Sequence, residues 1–238
     1  MSFDSNWEDN IYSQNKHINK YPYGELVSVF FNSLKYLDQT ILENKKNIKV
    51  LEIGSGAGNN LWFISELGFD TYGIDGSKSA CKIARENCEL REVKVNIKHA
   101  YFDDLPFEND YFDIIIDRES TCCGALNDIK SWWEEVDRVT KQGGVIISFK
   151  FSDDNPSLLK ILNNEIKAEY IEKNTYRNIE KGTFKDTGIV HFQEYDGIFD
   201  IFNFCDIKSI NKNKSESVYS TNQNEYFYSE WIIVGVKK

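Results

Sequence analysis

Residues 50–60 run VLEIGSGAGNN, an apolar stretch that breaks into Gly54-Ser55-Gly56-Ala57-Gly58 and then into residues suited to open a helix. The run 48–54 (IKVLEIG) has the continuous apolar character of a short strand buried on both faces. Leu61, Ile64 and Leu67 place an apolar stripe on a helix over 59–67, closed by Gly68. Glycines between strand and helix let the chain turn tightly and let a ligand approach main-chain atoms. Asp75, 21 residues after Gly54, ends the next predicted strand, TYGID (71–75). A carboxylate there can accept both hydroxyls of a ribose. A glycine loop alone says little, but one set between strand and helix, with an acid at the end of the next strand, specifies a nucleoside-bearing ligand.

The alternation continues outward from this unit. Ahead of it, Leu26, Phe30 and Leu34 recur at helical spacing over 24–37, after Pro22. Behind it, Ser77 is placed to cap a helix through about Leu90, VKVNIKHA (93–100) and YFDIIID (111–117) are strands, and a helix around 129–140 leads through Gly143-Gly144 into VIISFKF (145–151). Strands alternating with helices predict an α/β fold, a three-layer α/β/α sandwich on a seven-stranded, mostly parallel sheet with an antiparallel last strand. The expected organisation is one domain: a helical cap over 1–46, a ligand-binding core over 47–151, an insertion or lid over 152–195, and closing strands over 196–238. The insertion is predicted to hold a helix over 156–170 and strands around 183–195, with too little apolar content for a core of its own.

Composition narrows the function classes. Of 238 residues, 41% are hydrophobic, enough for a sizeable core, and the net charge of −10 repels nucleic acid and anionic membrane. The five cysteines (Cys81, Cys88, Cys122, Cys123, Cys205) form no CxxC pair or Cys/His cluster, so neither a disulfide framework nor a metal site is expected. Cys81 and Cys88 suit a helix core; Cys122 and Cys123 suit a pocket wall. No apolar run reaches membrane-spanning length and MSFDSNWEDN does not resemble a signal peptide, so a cytoplasmic location is expected.

Two ligand classes share the glycine-loop layout. A dinucleotide fingerprint is G-x-G-x-x-G/A, and here its last position is Asn59. Glu52, two residues before Gly54, would repel a pyrophosphate but suits the ammonium and sulfonium of S-adenosylmethionine (SAM). The stretch resembles motif I of the class I SAM-dependent methyltransferases, an acid, any residue, then G-x-G-x-G. Asp75-Gly76-Ser77, DDLPFENDYFDIIID (103–117) and RVTKQGGVIISF (138–149) are similar to further motifs of that family, so the resemblance covers roughly 48–151. It implies SAM as cofactor, held by Glu52, Gly54, Ser55, Gly56, Gly58, Asp75, Gly76 and Ser77. The family often has an acid for the adenine amine where this chain has Tyr101. Either Tyr101 and the Phe102 backbone hold the adenine, or Asp103 reaches it through a shifted loop.

The acceptor side is less defined. After strand four the chain reads Asp117-Arg118-Glu119-Ser120, not the [DN]-P-P-[YF] of many base and glutamine amino-methyltransferases. Asp117, assigned to the cofactor's neighbourhood, and Glu119 sit where acceptor-side groups are expected; the alternative is that they cap the loop and pair with Arg118. His17, in YSQNKHINKYPYG (12–24), and His191, in the insertion, join Glu119 as candidate acceptor-side bases, while His99 suits a structural place. In the resembled family the segment before strand one folds over the cofactor, which assigns Tyr12 to it. The lead also resembles small-molecule methyltransferases found with bacterial surface-polysaccharide genes, implying a polar acceptor, a sugar or phosphorylated intermediate, with O-methylation ahead of N-methylation. Two alternatives stand beside this: an amine or protein N-methyltransferase, and a non-catalytic SAM-binding partner subunit.

Overall fold

The computed structural model describes residues 5–16, 18–216 and 227–238. A wide helical turn over Trp7–Ile11 and a tight one over Tyr12–Gln14 precede α1 (Gly24–Ser33). Then come β1 (Lys49–Ile53), α2 (Asn59–Glu66), β2 (Asp70–Asp75), α3 (Lys78–Glu89), β3 (Val95–His99), β4 (Phe112–Arg118), α4 (Leu126–Val139) and β5 (Thr140–Phe151). The sheet order is β3-β2-β1-β4-β5-β10-β9, where β9 is Cys205–Glu216 and β10 is Phe227–Lys237. Strands β1 to β5 pair in parallel and β10 runs antiparallel to both β5 and β9, the predicted seven-stranded arrangement. The chain leaves β1 on one side toward β3 and returns on the other as β4. Ligands of open α/β sheets bind in the crevice that this reversal opens at the strand ends.

Both faces of the sheet are covered, which explains the unbroken apolar runs. Successive strand residues point to opposite faces. Val50, Ile114, Ile116, Val145 and Ile147 therefore pack with Leu26 and Phe30 of α1 and Ile64 of α2. Leu51, Ile53, Ile115 and Ile146 pack on the other face with Trp132, Trp133 and Val136 of α4. Helix α3 begins where predicted, the Ser77 hydroxyl accepting from Ala80 N at 2.9 Å.

Three expectations need correction. The first helix does not reach Leu37: it ends at Ser33, whose hydroxyl bonds back to Phe30 O (2.8 Å), and tightens into a turn over Leu34–Tyr36. The insertion's helix stops early, α5 spanning Pro156–Leu162, because Asn164 takes a left-handed conformation (φ 59°). The chain then forms a small antiparallel sheet of β6 (Glu169–Glu172), β7 (Thr175–Arg177) and β8 (Val190–His191), ahead of α6 (Tyr195–Ile201). The insertion also has an apolar cluster: Leu158, Ile161, Ile166, Tyr176, Ile179, Phe184, Val190 and Phe192 pack on Phe151 and Cys122 of the main layer. Its aromatics supply the core that its overall polarity hid.

Candidate active site

The crevice at the ends of β1 and β4 is a cavity of about 300 Å³. The glycine loop forms its floor. Gly54 (φ 65°) has no room for a side chain: a Cβ would stand 2.2 Å from Ser120 Cβ. Gly56 (φ 51°) is equally confined, a Cβ there lying 2.5 Å from Tyr12 Oη. Gly58 has another purpose. It does not line the cavity, and a Cβ on it would meet Ala84 at 2.9 Å, so it sets the close approach of α2 to α3.

Two buried acids flank this loop. Glu52 Oε1 accepts from Asn60 Nδ2 at 2.6 Å, and Oε2 has no partner. Burial pushes this carboxyl up to about 8, against the help of Asn60. Asp75 accepts from Gly56 N through one oxygen and Ser77 N through the other, each at 2.8 Å. Burial still lifts it to about 6, opposed by those two donors. Gly76, Ala100, Tyr101 and Phe102 continue the wall, with Trp132 edge-on to Phe102 at 5.2 Å. Asp103 is exposed and outside this lining. Ser77 lies outside it too, serving as the cap of α3.

A strap from the start of the chain closes one side. Trp7 and Tyr12 line the cavity, while Glu8 between them bonds to the start of α3. Its carboxylate accepts from Ser77 Oγ (2.5 Å), Ser79 N (3.0 Å) and Ser79 Oγ (2.7 Å). Partial burial disfavours that charge, but these donors outweigh it and hold Glu8 below the ordinary range. Asn60 ties in the next segment, its Oδ1 accepting from Tyr23 N at 3.0 Å.

The opposite end is lined by Tyr23, Arg118, Glu119, Phe151, Phe184, Val190 and Tyr228. Glu119 has a left-handed backbone (φ 57°), pairs with Arg118 and leaves Oε1 without a partner. Burial, with the negative charge of Glu230 behind it, holds its carboxyl above the ordinary range despite Arg118. Arg118 lies 3.8 Å over the Tyr23 ring.

The other sequence candidates fall elsewhere. Asp117 does not line the cavity. It is fully buried and saturated by Ser120, Thr121, Ser148 Oγ (2.8 Å) and Lys150 Nζ (2.9 Å), which caps the loop after β4. Burial works against its charge, but Lys150 and these donors hold it below the ordinary range. The assignment of Asp117 to cofactor contact is corrected accordingly. His191 is also outside the lining: Val190 faces the cavity, so its strand neighbour faces the other way, where the His191 ring bonds Thr175 Oγ1 at 2.7 Å. Burial pushes that ring down to about 4, leaving it neutral. His99 bonds Gly76 O at 2.9 Å. His17 lies outside the described residues. Cys123 lines the cavity; Cys122 belongs to the insertion's core.

The sequence reasoning missed Trp7, Glu8, Asn60, Trp132 and Glu230, and named Arg118 only as a partner for the acids after strand four. Only Glu8 and Glu230 carried a signal, the first as an acid beside a tryptophan in the lead and the second as an acid opening an apolar strand.

A cationic nucleoside fits this arrangement. The glycine floor would be filled by any Cβ, and Glu52 Oε2 and Ser55 Oγ are buried in the lining without partners. Residues 50–144 match a family described as a methyltransferase domain. A ubiquinone biosynthesis O-methyltransferase of Pelagibacter ubique (strain HTCC1062) is 30% identical over 128 residues, 54% of this chain and 51% of that protein. The chain spans about half the length of the first curated relatives it matches. Among solved structures, PH0226 from Pyrococcus horikoshii OT3 superposes with a TM-score of 0.65 at 22% identity, covering 99% of this chain and 100% of that one. The magnesium protoporphyrin IX methyltransferase of Synechocystis PCC 6803, solved with bound SAH, gives 0.62 at 14% identity, over 90% and 83%.

Proposed function

We propose that this chain, which carries a class I SAM-dependent methyltransferase domain, methylates a hydroxyl group on a small molecule with an apolar, ring-sized body. One observation carries the reading: a single cavity joins a cation-ready glycine cradle to an aromatic wall that holds a buried carboxyl, Glu119, one oxygen of which has no hydrogen-bond partner. SAM, when bound, supplies a methyl group on a sulfonium, so the reaction is a displacement in which positioning accounts for much of the rate.

The chain's own residues divide the work. Glu52, Gly54, Ser55, Gly56, Asp75 and Gly76 hold the donor, with Tyr101, Phe102 and Trp132 forming a flat slot for a base. Tyr12 and Trp7 cover it and exclude water. Phe151, Phe184, Val190 and Tyr228 take the acceptor's apolar body, and Glu119 receives the hydroxyl proton. This wall favours a ring over the sugar or phosphorylated acceptor expected from the lead. Among the described lining residues the one cationic side chain, Arg118, is already paired with Glu119. The net charge of −10 supports a small molecule over nucleic acid, and an odd number of cysteines supports a cytoplasmic setting. The O-methyltransferase among the relatives supports oxygen as the methylated atom.

A second reading, N-methylation, draws on the same buried carboxyl, Glu119, which also suits an ammonium. Incubation with SAM carrying a ¹³C methyl and a small-molecule extract separates them, because the shift of the transferred carbon reports its neighbour. Label on a small-molecule oxygen is expected. Label on nitrogen moves the reading to amines, and no transfer at all leaves a non-catalytic SAM-binding module.

A further inference from the structure

Behind the acceptor end of the cavity lies a carboxyl that does not line it. Glu230, in β10, is fully buried. Its Oε1 accepts from Tyr23 Oη at 3.1 Å and Asn213 Nδ2 at 3.0 Å, and its Oε2 from Tyr228 Oη at 2.9 Å. Its carboxyl lies beside that of Glu119, near enough for the two charges to act on each other. Two carboxyls in that relation hold a proton between them, because both cannot be charged at close range without a large cost. Arg118 completes the group, paired with Glu119 and leaving its Nε without a partner. With one proton on the pair the cluster is neutral; with none it carries one negative charge.

We infer that Glu230 is a positioning residue that joins Glu119 in a single two-carboxyl base for the acceptor hydroxyl. This rests on the reading that the acceptor meets Glu119. In the step, the acceptor oxygen bonds to the methyl carbon as the carbon–sulfur bond breaks, its electron pair staying on sulfur. The hydroxyl proton passes to Glu119 and is shared with Glu230. The reactive form of the pair carries no proton, so accepting one returns the buried cluster to neutrality, which is the electrostatic gain of the arrangement.

The groups facing the pair set its titration. Glu119 meets Arg118 and Glu230, with Tyr23, Tyr228, Cys122 and Cys123 around it; Glu230 meets Arg118, Tyr23, Asn213 and Tyr228. Burial raises both carboxyls above the ordinary range. Removing the neighbour's charge in Glu230→Gln lets Glu119 lose its proton at lower pH. Removing the Tyr228 hydroxyl withdraws a donor from the charged form of Glu230, so Tyr228→Phe makes the pair hold its proton to higher pH.

Infrared titration of the protonated-carboxyl band, on the full chain without ligand, reads this with no need of the acceptor. The Glu52 contribution is common to all variants and cancels on comparison. The alkaline limb should move down by about one pH unit or more in Glu230→Gln and up in Tyr228→Phe. Opposite shifts are not what a merely structural role produces, and a limb that stays in place in both variants overturns the pairing. If Glu230→Gln does not fold, Tyr228→Phe decides alone, since it keeps the aromatic body. Methyl transfer from ¹³C-methyl SAM to the extract should fall about a hundredfold or more in Glu119→Gln. Full transfer in that variant would sink the functional reading even with the pair intact. Lost transfer with an unmoved limb would sink only the pairing.

Discussion

At the scale of the residue, the cofactor side is a set of buried acids made useful by what surrounds them. Glu52 and Asp75 are held up to about 8 and about 6 by burial, so the folded chain keeps protons that the unfolded chain releases in the ordinary carboxyl range. Their contribution to stability is therefore complete below that range and is lost as pH rises toward 8. Melting temperatures of the ligand-free chain should fall between pH 5 and 8, and Glu52→Gln should flatten that slope; an unchanged slope would mean that Glu52 is already charged. A bound cation reverses the preference of Glu52. SAM binding at pH 7 should thus release a proton, seen in calorimetry as a heat that depends on the buffer's ionisation enthalpy. Asp75→Ala removes acceptors proposed for two ribose hydroxyls and frees Gly56 N and Ser77 N. At roughly 1.5–3 kcal/mol for each bond to a charged group, SAM affinity should drop at least about tenfold, and unchanged affinity in a folded variant would reject the assignment.

The elements explain why some of this was legible in the sequence. The glycine loop, Asp75 and the Ser77 cap are local, each fixed by a strand end and the helix after it, so their spacing alone located them. Glu230 is not local. It reaches Glu119 only because β10 inserts antiparallel beside β5, and no spacing announces that pairing. His191 shows the opposite failure: a histidine in a polar insertion suggested chemistry, whereas β8 turns it onto Thr175 and away from the cavity wall. Asp117 likewise carried the right residue type at a strand end, and Lys150 on β5 absorbed it. The strap belongs to this scale as well. Its hold on α3 includes the Glu8 side chain, with three hydrogen bonds. Glu8→Ala should cost the closed strap about 1 kcal/mol or more. Amide exchange over residues 7–14 should quicken while β1 and β4 stay protected; equal protection in the variant would mean that Trp7 and Tyr12 hold the strap by themselves.

Across the whole molecule, the parallel sheet carries the cradle proposed for the donor, and less regular segments carry the wall proposed for the acceptor. Ile115 is fully buried at the centre of β4, packed on the face that α4 covers. Ile115→Ala should cost about 2–5 kcal/mol in urea unfolding, the price of a cavity beneath both halves of the site. A loss well below that would mean the sheet relaxes around the gap. The wall proposed for the acceptor draws instead on the insertion and the closing strands, so the proposal makes donor binding and acceptor choice separable. Donor binding is the premise for everything else, and it divides this chain from the dinucleotide binders that share its sheet. Calorimetric titration of the full chain with SAM, and in parallel with NAD, tests it most directly. The cradle of Glu52 and Gly56, with Asn59 in place of the dinucleotide glycine, predicts SAM binding at least about tenfold tighter than NAD; NAD binding as tight or tighter would contradict the account.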